Sequence, residues 1–376
     1  MKVLILTSHN GGGHDAVAKA IAQELISRGD TCLIRDCMRF ISTDASRIAA
    51  NGHAFVYRHC PELFGRGYEY AETHDTFRPG SLQRQLLDRG GRSLCAYAAR
   101  ENVDVIVCTH VFAGIMASTW GGGTCLVETD YTCTPGAEQA RVDWHLIPHE
   151  ALRSELVKKG VNADRILVSG IPVRQEIRRC LSREQARAAA GNPVGEPHVL
   201  LMGGSMGCGP IPQILDALLQ QLPAEVRITT VCGSNEALLS QLQKRYADVP
   251  QIRLLGHTED ISTLMDGADV LVTKPGGITV TEAAVKRLPP VLFNAVSGCE
   301  AHNLRFFLSR GAALTGDTPE ELAACCGALI RNAERRRSVQ SGLAQIALAN
   351  DPYALCCAVH DAGTRARTQY SKEATQ

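Results

Sequence analysis

The chain of 376 residues carries no net charge, with 39 basic residues set against 39 acidic ones. No long-range field therefore draws it to nucleic acid, and any basic surface has to be local. Its fifteen cysteines never fall in a Cys-x-x-Cys pair, which argues against a zinc ribbon or a disulfide framework. Scattered in this way, cysteine reads as a small apolar residue of a reducing cytoplasm. No apolar run approaches the ~18 residues that span a bilayer, so membrane contact is expected to be peripheral. The opening segment has one lysine, four apolar residues and a glycine-rich turn, and reads as a strand, not a signal peptide. Two phosphate-handling signatures are missing too. No Gly-Lys-Ser/Thr follows a glycine-rich turn, and no Asp-x-Asp triplet occurs.

What is present favours an α/β protein. The length predicts two domains, possibly three, and an apolar content of 45% is enough for full cores. Short continuous apolar runs without alternation mark buried parallel strands. They occur at 3–6, 31–35, 103–108, 125–128, 144–148 and 166–169. The pattern restarts at 199–202, 228–232, 252–255, 270–273, 291–294 and 312–314. Helical patterns lie between these runs, including a charged helix expected over 174–190 and a basic one around 331–337. The expected division is an N-terminal domain over 1–172, a C-terminal domain over 173–350, and a final helix over 351–376 that packs back across the domains.

Residues 38–100 interrupt the α/β pattern. Phe40, Phe55, Tyr57, Arg58, Phe64, Arg66, Tyr68, Tyr70, Phe77 and Arg78 mix aromatic and basic character. Over 39–100 there are nine arginines, no lysine and six acids. This fits amphipathic helices that touch an anionic membrane surface, or an ordinary helical excursion with a solvated face.

Each half opens with a glycine-rich turn between a strand and a helix. The first, Thr7 to His14, fits Gly-x-Gly-x-x-Ala at Gly11, Gly13 and Ala16, with Asp36 roughly where a dinucleotide fold puts its ribose carboxylate. His14 in the first turn of the helix points elsewhere. An imidazole near the positive helix end is favoured in its neutral form, and a neutral imidazole accepts a proton as a general base. A packed or capping histidine is the plain alternative. Asp130, at a strand end, is either catalytic or a turn cap. The second turn, Gly203 to Gly209, exposes backbone N–H groups of the kind that cradle phosphate. Gly276 and Gly277 repeat the device after the strand 270–273, with Glu282 and Glu300 on the same side. Thr279 and Glu282 also have capping-box spacing, and Glu300 also reads as a solvated loop carboxylate. Two Rossmann-like halves imply a cleft with ligand at both rims, as in two-domain nucleotide-sugar transferases.

Several segments resemble one family. Gly11-Gly12-Gly13-His14, Thr129-Asp130-Tyr131, Ser169-Gly170-Ile171-Pro172-Val173-Arg174 and the stretch 274–303 are similar to the monogalactosyldiacylglycerol synthase and processive diacylglycerol glucosyltransferase family. More distantly they resemble the N-acetylglucosaminyltransferase of peptidoglycan lipid intermediates. The resemblance implies a GT-B fold and inverting transfer of a hexose from a UDP-sugar to diacylglycerol or a related lipid. It implies a protein on the inner face of the cell membrane, with no metal required and no nucleic acid partner. His14 then matches the base, and Asp130 is the second catalytic candidate. Gly13, Gly204 and Ser205 fall in phosphate turns, and Gly256 and His257 in the loop that meets uracil. Gly276, Gly277 and Thr279 match the pyrophosphate turn, Glu282 the ribose carboxylate, and Glu300 with Asn303 the loop that reads the sugar. The family commonly has Gly-Gln-Glu where this chain has Gly298-Cys299-Glu300.

Three other functions remain open to the sequence: a peptidoglycan-precursor or soluble acceptor with UDP-GlcNAc as donor, a nucleotide-sugar-binding non-enzyme, and a nicotinamide enzyme. A thermal unfolding assay separates the last. UDP is expected to raise the unfolding midpoint and NAD to leave it unchanged.

Overall fold

The computed structural model describes residues 1–8, 12–42, 61–293 and 298–373, plus the isolated positions 44 and 52. The readings made above at Gly11, Phe55, Tyr57, Arg58 and Asn294, and at the Phe64 side chain, lie outside the described residues. The chain forms two units, Met1–Gln175 with Ala349–Gln376, and Glu176–Leu348.

The N-terminal unit is built on β1 (Lys2–Thr7), β2 (Thr31–Asp36), β3 (Val105–Cys108), β4 (Gly123–Val127), β5 (Trp144–Ile147) and β6 (Ile166–Val168). They form one parallel sheet in the order β2-β1-β3-β4-β5-β6. Val3 to Leu6 and all of β3 are fully buried, as strands covered on both faces must be. The Pro352–Glu373 helix covers part of this sheet. Its Leu355, Val359 and Ala362 are buried, and it comes so close to β4 that a Cβ on Gly123 would stand 2.5 Å from the Ala362 carbonyl carbon. Trp144 Nε1 donates to Asp361 at 2.9 Å, and His360 Nε2 lies 2.7 Å from Asp30.

Within the 38–100 region the described part contains the helices Pro61–Thr73 and Leu82–Arg100. The second buries Leu87, Gly90, Gly91, Leu94 and Ala98, a helical stripe against the Val111–Ala117 helix. Leu63, Tyr70, Leu82 and Leu86 are exposed.

The C-terminal unit is built on β7 (His198–Met202), β8 (Arg227–Val231), β9 (Ile252–Leu255), β10 (Val270–Thr273), β11 (Pro290–Leu292) and β12 (Leu314–Thr315). Its parallel order is β12-β11-β10-β7-β8-β9, the Rossmann arrangement counted from β7. The single charged helix expected over 174–190 is two pieces, Gln175–Arg178 and Arg183–Ala189. The break has a local cause. The Ser182 hydroxyl accepts from the Gln185 N–H while the Gln185 side chain accepts from the Ser182 N–H, a capping box that starts a new helix. The basic stretch at 331–337 is likewise divided, because the Asn332 carboxamide oxygen accepts from Glu334 and Arg335 and caps the Ala333–Ala347 helix.

The Gly277–Lys286 helix ends before Pro289, and its C-cap Arg287 is left-handed at φ 51°. A side chain is disfavoured there, and glycine is the usual occupant. Arg287→Gly is expected to stabilise this unit by about 0.5–1 kcal/mol, read as a higher urea midpoint.

Candidate active site

In the N-terminal sheet β1 and β3 are neighbours, and their outgoing connections diverge. One returns through the Gly12–Ser27 helix to β2, and the other leads through Val111–Ala117 to β4. Ligands of open α/β sheets bind beyond the carboxyl ends of strands at such a point. His14 is there, half-buried in the first turn of its helix. Its Nδ1 lies 2.7 Å from the Thr109 carbonyl oxygen, one residue past β3. A carbonyl oxygen only accepts, so Nδ1 carries the proton and, in the neutral ring, Nε2 keeps its lone pair. The Thr129 hydroxyl lies 3.4 Å from the same Nδ1, with Asp130 next in the chain and half-buried. The Thr7 hydroxyl donates to Asp15 at 2.7 Å, which ties the helix start to the end of β1.

An aromatic row continues from the histidine. His14 and His110 meet edge-on with centroids 4.8 Å apart, His110 meets Phe112 at 4.5 Å, and Phe112 meets Phe77 at 5.7 Å. Phe77 belongs to the aromatic-rich 38–100 region, so that region reaches the neighbourhood of His14. Asp36 does not support the nicotinamide reading. It is buried and its carboxylate accepts from the Met38 N–H, capping the Cys37–Phe40 turn.

Glu128 was not singled out by the sequence, because a carboxylate at a strand end looks like a turn residue. It is 2% exposed, takes a 2.6 Å hydrogen bond from Thr134, and its Oε1 has no partner among the described residues. Burial pushes its carboxyl up to about 7, against the lowering effect of the Thr134 bonds. The Glu128–Thr134 bond spans the loop that carries Thr129 and Asp130.

The C-terminal unit has its own switch point between β7 and β10, where Met202 and Thr273 are register partners at the two strand ends. Both glycine turns leave from here. In the first, Gly204 has φ 72°, and a Cβ on it would stand 2.6 Å from Lys274 Cε. Ser205 is exposed, and its carbonyl accepts from the Ser234 N–H at 2.9 Å, which anchors the turn to the end of β8. In the second, Gly276 is the N-cap of the Gly277–Lys286 helix and no side chain caps that end. The first intrahelical bond closes from Val280 N–H to Gly276, so the N–H groups of Gly277, Ile278 and half-buried Thr279 precede the hydrogen-bonded ladder. The capping-box reading of Thr279 and Glu282 falls with this start, since Thr279 is already inside the helix. Glu282 lies in the second turn and is 5% exposed.

Glu300 is likewise no loop carboxylate. The helix begins at half-buried Cys299 and runs to Leu308, with Gly298 as N-cap at φ 102°, and Glu300 is buried in its first turn. Its Oε1 accepts from Lys274 Nζ at 2.7 Å. Asn303 is fully buried, and its amide donates to the Pro275 carbonyl at 2.9 Å, holding the turn in place. The structure thus gathers Gly204, Gly276, Gly277, Glu300 and Asn303 around Lys274, which the sequence reading passed over inside Lys-Pro-Gly-Gly. Half-buried Gly256 and exposed His257 follow β9, two strands further along the same sheet, at the same carboxyl edge. Gly13 is exposed in the first turn of the His14 helix.

Glu128 supplies a test of the N-terminal half. A carboxyl whose folded pKa is raised binds more protons folded than unfolded, so its contribution is fully present below about 4.5 and is lost as pH rises through about 7. Glu128→Gln is therefore expected to stabilise this unit at pH 8 by roughly 3 kcal/mol relative to its effect at pH 4.5. Urea unfolding at the two pH values measures the difference.

Residues 14–173 match the family described as monogalactosyldiacylglycerol (MGDG) synthase. The processive diacylglycerol β-glucosyltransferase of Bacillus pumilus is 26% identical over 362 residues, covering 92% of this chain and 91% of the relative. Among solved structures, MurG of Acinetobacter baumannii superposes with a TM-score of 0.63 at 18% identity, covering 96% of this chain and 99% of that one. Anabaena HepE, solved in complex with UDP, superposes with a TM-score of 0.56 at 13% identity over 100% of both chains. Two parallel six-stranded sheets and these likenesses give the chain a GT-B fold. Over residues 14–173 the chain is similar to the monogalactosyldiacylglycerol synthase family, and over nine-tenths of its length it is similar to the processive diacylglycerol glucosyltransferases.

Proposed function

We propose that the protein is an inverting glycosyltransferase that moves a hexose from a UDP-sugar to diacylglycerol or a related membrane lipid. The observation that carries the reading is the β7–β10 switch point, where a glycine turn, a helix N-terminus without a side-chain cap and a lysine converge on one place. N–H groups outside the helical ladder and an ammonium together suit a diphosphate. UDP as the nucleotide is supported by its presence in the HepE structure. Glucose is the first hexose to test, because the relatives are named as glucosyltransferases.

In this reading the acceptor hydroxyl gives its proton to His14 Nε2, and its oxygen attacks the anomeric carbon on the face opposite the phosphate. The bond from that carbon to the phosphate oxygen breaks, and UDP leaves with the electron pair. The Thr109 carbonyl keeps Nδ1 protonated throughout, so Nε2 stays the accepting nitrogen. Asp130, next to Thr129 in the chain, is taken to favour the imidazolium that forms. The N–H groups of Gly277, Ile278 and Thr279 and the Gly204–Ser205 turn meet the departing charge. Glu282 takes the ribose hydroxyls, Glu300 the sugar, and the loop at Gly256 and His257 the uracil. No metal is required for this transfer.

The acceptor side is supported by the Phe77–Phe112–His110–His14 row and by exposed Leu63, Tyr70, Leu82 and Leu86 in the arginine-rich region. No helix among the described residues is long and apolar enough to cross a membrane. We place the protein peripherally on the inner face of the cell membrane, on anionic lipid.

The test is mass spectrometry of membrane-lipid extracts incubated with the protein and each UDP-hexose in turn. A glycosyl-diacylglycerol product is expected, at the same rate with and without EDTA. His14→Ala is expected to lower turnover about 10²–10⁴-fold with UDP affinity unchanged. Sugar appearing only on a peptidoglycan precursor overturns the lipid acceptor, and full activity in His14→Ala overturns the base.

A further inference from the structure

Lys274 and Glu300 are 26 residues apart in sequence, yet their charges meet at 2.7 Å with only 14% and 8% of their side chains exposed. The stem of Lys274 lies against Gly204, where even a methyl group would stand 2.6 Å from Cε. A Cβ on Gly276 would stand 3.9 Å from Glu300 Oε1. One carboxylate is therefore bordered by a lysine, by the pyrophosphate-type turn, and by the start of its own helix, where a negative charge is favoured.

We propose that Glu300 and the diphosphate of the donor compete for Lys274. A nucleoside diphosphate carries more negative charge than a carboxylate and offers several acceptor oxygens along the Gly204 turn, which Lys274 already follows. The lysine head is a compact charge on a flexible stem, so it moves to a phosphate oxygen without moving the backbone. Glu300 then loses its ammonium partner and turns its acceptor oxygens to the hydroxyls of the transferred sugar. Binding of the diphosphate and recognition of the sugar become one coupled event. Glu300 opposes the nucleotide alone and favours the nucleotide with its sugar. This rests on the reading of the unit as a UDP-sugar site.

The experiment is calorimetric titration of UDP into four full-length proteins: wild type, Lys274→Ala, Glu300→Gln and the double variant. Unchanged thermal unfolding verifies each fold, and Lys274→Arg serves as a charge-retaining control. Lys274→Ala is expected to weaken UDP at least about tenfold, with Lys274→Arg weakened less. Glu300→Gln is expected to tighten UDP by about fivefold or more, while turnover of the UDP-hexose falls. In the Lys274→Ala background that gain is expected to vanish. A Glu300→Gln protein that binds UDP more weakly than wild type, or the same gain with Lys274 absent, overturns the exchange while the donor site stands. Failure of wild type to bind UDP at all overturns both.

Discussion

The organising constraint is the level at which neighbouring parallel strands end. Thr273 and Met202 finish side by side, and β1 ends at Thr7, one residue beyond the partner of Cys108, while the chain leaves each pair in opposite directions. Divergence opens a space that no connection crosses, and the Gly277–Lys286 helix starts there with no side-chain cap. The fully buried strands fix that level, since a slip would break the close packing of their side chains on both faces of the sheet. The chemistry at both sites inherits its precision from hydrophobic packing underneath.

Backbone atoms hold the two sites more than side chains do. The Thr109 carbonyl sets the proton on His14, and the Pro275 carbonyl receives Asn303. Contacts of this kind couple the site to the sheet directly, because the accepting atom is part of the strand end or the turn. Glycine acts in the same sense at Gly204, where absence of a side chain lets a charged stem lie along the turn. At Gly276, no side chain caps the helix start.

Much of this was legible in the sequence for identifiable reasons. Strands covered on both faces give continuous apolar runs, so β1, β7 and β10 stand where those runs predict. His14 in a helical first turn was readable from the strand-glycine-helix pattern alone. The Ser182-Arg183-Glu184-Gln185 spacing was also readable as a helix start, and was overridden by a continuous charged pattern. The start of the helix at Cys299 was hidden because Gly298 adopts a φ of 102°, which reads as loop. The Lys274–Glu300 pair and the Thr109 contact are tertiary facts, and no spacing rule joins positions so far apart. Glu128 was invisible for a different cause. Only the folded loop from Thr129 to Thr134 makes its surroundings dry.

The covering of β4 by the Pro352–Glu373 helix bears on how the chain matures. The unit that carries His14 is built from both ends of the sequence, whereas Glu176–Leu348 is one uninterrupted piece. During synthesis the continuous piece has all its strands before the last helix leaves the ribosome. Until then Gly123 and its neighbours on β4 present an uncovered apolar face. The Glu176–Leu348 unit is thus able to complete its core first, and the unit holding His14 waits for the final two dozen or so residues. Premature termination in that last stretch would yield a chain whose C-terminal unit still folds while β4 of the other unit has lost its cover.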